Sequence, residues 1–284
     1  MARLRQATGP LLPLPALSPD AYSRGHALFE ARSDQRKVLT GWLRRLLGSW
    51  ADTSPRVLSI GCGDGTVDAA VADLLARPGR VLHYDGIEPH PASGRRFLDR
   101  LGQVSGVRAA LSPTTFAGYD PAGRRYDLVL AVHSLYYVPD LADAIRAARR
   151  LLAPGGMLVV LHAPLSSLNR LVGVLAQDQG QEFSEAVRAA LSAQGEAVHR
   201  ERLDAALDLT ASGDADEDRR VLDFAVQVAL PDRLRPAVLE VLRASALPGP
   251  GLLVPHPIDA YVVRRAARET PGRWPDRSSG ADLR

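Results

Sequence analysis

At 284 residues, 46% of them hydrophobic, and with a formal net charge of +3, the chain is long enough to bury a full core as one α/β domain with additions. No apolar stretch approaches the ~20 residues of a membrane span, no signal-peptide core follows Met-Ala-Arg-Leu-Arg, and the single cysteine excludes an intrachain disulfide and a cysteine-built zinc site, so a cytoplasmic protein with no membrane partner is expected. The positive charge is almost wholly arginine, Lys37 being the only lysine, and its scatter without a block or interleaved aromatics argues against nucleic acid.

Residues 1–18, rich in proline and leucine without a period, read as a flexible N-terminus. A helical segment over 19–50 carries Tyr22 and Asp34 ahead of a helix burying Val38, Leu39, Trp42, Leu43 and Leu46; Asp34 reads equally as its cap or as a functional carboxylate. Arg56 to Gly65, RVLSIGCGDG, then breaks from a strand into three alternate glycines, Gly61, Gly63 and Gly65, which permit backbone angles and a close approach that a Cβ would block. A dinucleotide fingerprint wants its third glycine where this chain has Thr66, so the spacing fits S-adenosylmethionine (SAM) better than NAD. Cys62, inside this loop, reads as packing beside the cofactor. The next run ends in Ile87-Glu88-Pro89 and places a carboxylate where the ribose hydroxyls of an adenosine would sit.

Val107 to Leu111 is a short third strand followed by Ser112, Tyr126 to Val132 a fourth, Leu141 to Leu152 a helix, and Pro154-Gly155-Gly156 turns into the strand Met157 to Leu161. Such alternation argues a Rossmann-like, doubly wound, mostly parallel sheet over residues 51–163. Residues 164–255 carry more helix than that core needs: the Ser184 helix and the alternating run Ala197 to Leu209 supply the last crossover and sixth strand, while helices from Glu217 and Arg233 form a cap. Residues 256–265 give a final antiparallel strand, and the polar stretch 266–284 reads as a flexible tail. His26, His83, His90, His162 and His199 show no metal-ligand spacing, are assigned to surface or core, and no metal is expected.

LSIGCGDG, then IEP, then HSLYYVPD, then an insertion containing VLDF, together resemble a class I SAM-dependent methyltransferase from about Val57 to Leu161 and again at the chain's end. Within that class the combination is similar to the histamine N-methyltransferase-like family and its bacterial relatives that methylate indole C3. The resemblance implies that Gly61, Cys62, Gly63, Glu88, Pro89 and Ser93 hold the cofactor, with Ser112 near the adenine and Val132 beside the methionine moiety. It also implies that the N-terminal segment folds over the substrate as a lid, with Tyr22, Asp34, His133, Tyr136, Tyr137, Thr210 and His256 at the substrate. Adjacent tyrosines cannot both face one way on a strand, so at least one of that pair packs. His133 stands where the family has glutamine, Thr210 where it has cysteine and His256 where it has asparagine; a titratable His133 suggests a general base, supported by Tyr22, Asp34 or His256. The expected acceptor is a small nitrogen heterocycle, an indole at C3 or an imidazole nitrogen, against the alternative of a SAM-binding module without chemistry. Oligomeric state is not legible.

Overall fold

The computed structural model describes residues 14–50, 54–136, 138–176, 182–195 and 197–266. Its centre is the aliphatic run Arg56–Ile60 (β1), flanked in parallel by Leu82–Ile87 (β2) and Tyr126–Val132 (β4). Val107–Ser112 (β3) pairs beyond β2, and Leu152–His162 (β5) beside β4. Ile258–Arg264 (β9) then runs antiparallel to β5, and Val198–Leu203 (β6) antiparallel to β9, giving a seven-stranded sheet in the order β3-β2-β1-β4-β5-β9-β6. This is the doubly wound, mostly parallel sheet with antiparallel last strand that the sequence pattern implies.

The strands read as continuous apolar runs because both faces are covered. Val57, Leu128 and Val159 join one core with Trp42, Leu43, Val71 and Phe97, from Gln35–Leu47 (α2), Thr66–Leu75 (α3) and Pro91–Gly102 (α4). Their chain neighbours Leu58, Val129 and Val160 face the other way, onto Ile145 and Val187 of Leu141–Arg150 (α5) and Ser184–Ser192 (α7). In the final strand Asp259 is fully buried, and accepts from Arg202 Nε at 2.9 Å and Arg200 Nη2 at 2.9 Å, which ties the edge strand β6 to its neighbour.

The alternating run Ala197 to Leu209 does not form one strand. After β6 ends, Ala206–Asp208 (β7) leaves the main sheet and pairs with Leu253–Pro255 (β8) in a separate two-stranded sheet. The cause is an anchor from the N-terminal segment: Ala206 N–H donates to Asp34 Oδ1 at 2.7 Å, Asp34 N–H donates to Ala206 O at 3.2 Å, and Ser33 bridges Leu207.

The N-terminal segment is two helices, Pro19–Arg32 (α1) and α2, so Tyr22 lies within a helix rather than ahead of one. Ser18 caps α1, accepting from Ala21 N at 3.2 Å, with proline in the first turn. Residues 14–18, expected to be flexible, are fixed: Leu14 is buried, its N–H donates to Leu175 O at 3.2 Å, and Ala16 bridges Val228. The remainder of that N-terminal stretch, 1–13, and the tail 267–284 lie outside the described residues.

Leu14 and Phe29 belong to a core of the cap, with Leu171 of Ser167–Leu175 (α6), Leu222 of Ala215–Ala225 (α8), Val238 of Arg235–Arg243 (α9) and Val254 of β8. At the α1–α8 crossing a Cβ on Gly25 would stand 2.8 Å from Phe224 Cβ and 3.1 Å from Arg220 O. Gly25→Ala is therefore expected to cost about 1–3 kcal/mol through overpacking, read as a lowered urea midpoint with unchanged slope. No helix among the described residues is long and apolar enough to cross a membrane.

Candidate active site

The carboxyl ends of β1, β2 and β4 converge on the glycine loop. Gly61, Gly63 and Gly65 all have positive φ, 64°, 57° and 77°. Gly61 is doubly constrained, since a Cβ there would also meet Ser134 Cβ at 2.5 Å, whereas at Gly63 nothing stands within 4 Å and the peptide is bare. The loop is pinned by Cys62 N–H to Ile87 O at 3.0 Å, and Glu88 fastens it from the end of β2. Glu88 Oε2 accepts Gly63 N–H at 3.0 Å and Oε1 accepts His90 N–H at 2.8 Å. Burial, with Asp68 and Glu88 nearby, pushes the Cys62 thiol far up, so it packs as a neutral group.

A cavity of about 670 Å³ extends from this loop to α1. Gly61, Cys62, Gly63, Ser93, Val132 and His133 all line it, as does Tyr22 of α1. His26 and His90, which the sequence places at surface or core, also reach its wall. Tyr22 and His26, both on the wall, stack at 6.4 Å between ring centroids, and Phe224 of the VLDF run meets Tyr22 edge-on at 5.0 Å from behind.

Asp68, in the first turn of α3, is a wall residue the sequence reading missed. Its signal was its place on the buried stripe of Val71, Ala72 and Leu75, at helical spacing. It is 4% exposed; Tyr84 OH donates to it at 2.9 Å, and Ser59 donates as well. Burial pushes it up to about 6 against those two hydrogen bonds. Among the described residues no ion pair to it occurs.

His133 follows β4 with φ 50°, unusual for a non-glycine residue, and its N–H donates to Leu161 O at 2.9 Å. Its Nδ1 lies 2.8 Å from the Tyr136 hydroxyl, which also accepts Ala163 N–H at 3.1 Å. Its Nε2 is buried with no partner among the described residues. Burial, then the nearby His162, His256 and Arg36, pushes the imidazole down to about 3. Tyr136 stacks behind His133 and at 4.0 Å from His162, off the cavity wall.

Other candidates stand elsewhere. Asp34 makes no helix cap and holds Ala206 at the α1–α2 junction. His256 packs there too, its ring 5.1 Å from Phe29, its Nδ1 3.5 Å from Ser33 Oγ and its carbonyl accepting Gln35 Nε2 at 3.0 Å; burial pushes it down to about 4. Thr210 is exposed beyond β7, its hydroxyl accepting Leu252 N–H at 2.8 Å. Ser112 ends β3, its carbonyl accepting Glu88 N–H at 3.2 Å; it, the exposed Pro89 and Glu88 itself lie off the wall, Glu88 acting there through its bond to Gly63. Tyr137 lies outside the described residues. Among the described residues no three His, Cys, Asp or Glu side chains are grouped to hold a metal.

These groups suit SAM. Bare peptide at Gly63 admits a flat adenosyl group, the Glu88 oxygens keep lone pairs for hydroxyls, and the buried Asp68 carboxylate offsets a cationic ligand.

A family model described as a methyltransferase domain matches residues 31–202. The chain is 35% identical over 117 residues to the ubiquinone biosynthesis O-methyltransferase of Serratia proteamaculans, covering 40% of this chain and 43% of that protein. The Acinetobacter baylyi protein of the same description is 30% identical over 146 residues, covering 51% and 56%. The matched stretch thus spans about half the length of these curated relatives. Among solved structures, the YcgJ protein of Bacillus subtilis superposes with a TM-score of 0.54 at 15% identity, over 80% of this chain and 99% of that one. The plantazolicin methyltransferase BpumL, solved in complex with SAH, gives 0.52 at 12% identity over 87% and 91%. At such identities these two likenesses speak for the fold alone. With the family model covering more than half of the chain, residues 31–202, the chain belongs to the methyltransferase-domain family, the class I SAM-dependent methyltransferases.

Proposed function

We propose that this protein moves a methyl group from SAM to a small nitrogen heterocycle, at indole C3 of a tryptophan-derived cyclodipeptide: SAH leaves, the cyclodipeptide amide nitrogen bonds C2 to close a pyrroloindoline, and the proton that this amide loses passes to solvent. When bound, SAM supplies a methyl carbon activated by its sulfonium. The chain aligns an acceptor with it and excludes water: Gly61, Gly63 and Glu88 fix the cofactor side, and α1 with Tyr22 and His26 covers the other. His133 carries the reading. Its Nε2 is buried, without a partner among the described residues, on a residue that lines the same cavity as the glycine loop, which suits hydrogen bonding to a ring N–H. An indole whose N–H is hydrogen-bonded is a better nucleophile at C3.

The imidazole at about 3 stays neutral across the physiological range, so this role is orientation and polarisation rather than proton storage. The same low value favours a second reading, N-methylation of an imidazole or other small amine, because a neutral imidazole nitrogen needs orientation alone. Incubation with SAM and either histamine or tryptophan-containing cyclodipeptides, with the new methyl located by NMR, separates them. Methyl at C3 is expected; methyl on a histamine nitrogen alone removes the indole reading, and SAM binding without turnover on either leaves a binding module.

For His133→Gln, whose amide can still hydrogen-bond, kcat is expected to fall by about tenfold or less, with SAM affinity unchanged. No His133-dependent ionisation is expected between about pH 5 and 8. A ~100-fold loss together with disappearance of an acid limb near pH 6.5 would restore proton transfer to this residue.

A further inference from the structure

A second cavity, of about 370 Å³, opens at the amino ends of β4 and β5, the opposite edge of the sheet from the glycine loop. Three elements bring arginines to it. Arg146, Arg149 and Arg150 come from the last turns of α5, at spacings that share a helix face. Arg125 directly precedes β4, and Arg265 follows β9, whose antiparallel course returns the chain to the starts of the parallel strands. The wall is completed by Leu152, whose carbonyl accepts Arg265 Nη1 at 2.6 Å, and by Gln194, whose side-chain oxygen accepts from Arg149. No carboxylate is among the described residues lining it.

A helix C-terminus favours cations, which accounts for Arg149 and Arg150. It does not account for Arg125 and Arg265, delivered to the same hollow by unrelated elements. Like charges gathered around one concavity repel, and an anion seated among them relieves that repulsion. We propose that this hollow binds a compact di- or triphosphate group, carried by inorganic polyphosphate or by a phosphorylated small metabolite. Guanidinium forks pair with phosphate oxygens in bidentate fashion, and the flanking backbone and Gln194 hold two of the arginines in place. The arginines ring a small hollow rather than forming the stripe that a nucleic-acid strand would follow. The site stands apart from the cavity of Gly61 and His133 and does not depend on which acceptor is methylated.

Calorimetry of the full chain with inorganic tripolyphosphate, at constant ionic strength, tests it. Micromolar affinity is expected, weakened about 30-fold or more in Arg125→Gln/Arg150→Gln, whose parent side chains are exposed, and several-fold in Arg146→Gln, with SAM affinity intact in both. Nucleoside triphosphate binding as tightly as tripolyphosphate identifies the phosphates alone as the ligand; tighter binding identifies an organic phosphate. Unchanged affinity in both variants overturns the proposal. So does a single-stranded oligonucleotide that outcompetes tripolyphosphate at these arginines.

Discussion

Glu88→Ala is expected to weaken SAM binding by about 100- to 1,000-fold in calorimetry and to lower the melting temperature, since two backbone N–H groups lose their acceptor. Two effects add. At the cofactor the carboxylate would supply charge-assisted acceptance to paired hydroxyls, each such bond being worth about 1.5–3 kcal/mol. It also fastens the glycine loop, because Gly63 N–H and His90 N–H both donate to it, so truncation loosens the backbone on which the ligand lies. Glu88→Gln separates the two: its amide oxygen can keep one loop contact while the charge is lost, and an intermediate affinity is expected. Full affinity in the alanine variant would remove Glu88 from the cofactor site.

Asp68→Asn is expected to weaken SAM binding by about 10- to 100-fold at pH 7 while stabilising the ligand-free protein. The two signs differ because the carboxylate is costly without a counter-charge and useful with one. Its folded value, about 6, lies above the ordinary aspartate value of 3.8, so the folded protein binds the proton more tightly than the unfolded chain does. Its ionisation therefore costs stability as pH rises through that window, reaching about 1–3 kcal/mol above it, and the asparagine variant should gain in thermal melts at pH 7 but not at pH 4. SAM affinity of the parent should correspondingly fall as pH drops below about 6, and that dependence should vanish in Asp68→Asn. A variant that binds SAM normally, or a parent whose affinity is flat with pH, would show that the carboxylate does not face the cofactor's charge.

The sheet was legible because its evidence is local: Tyr126 to Val132 is apolar on both faces, and the glycines of the first turn sit where β1 must stop. Cofactor-side candidates Gly61, Gly63 and Val132 meet in the cavity for the same reason, each following directly from a strand end. What stayed hidden depends on contacts between distant segments. Ala206 leaves the main sheet because Asp34 holds it, and neither residue announces the other. Asp34 and His256 are letters that serve equally for chemistry or for a junction, and here hydrogen bonds and packing use them at the junction of α1 and α2. Asp68 shares the buried stripe of Val71, Ala72 and Leu75, but a carboxylate there marks a cavity wall only once Tyr84 and Ser59 are seen beside it. Of the five arginines of the second cavity three share the end of α5, but Arg125 and Arg265 join them only through the sheet, Arg265 when β9 returns beside β5.

The packing of α1 against α8 sets an order of assembly. Gly25 leaves the ribosome early, yet its partner Phe224 is made 199 residues later, and the core in which Phe29 of the same helix meets Phe224 also needs Val254 of the hairpin. Contacts that close so long a loop bear the full entropy of closure before any burial rewards it, so they form late. During synthesis the apolar side of α1 must therefore remain uncovered while the first strands find one another, and α1, which brings Tyr22 and His26 to the cavity, gains its packing partners only when residues 222–254 have been added.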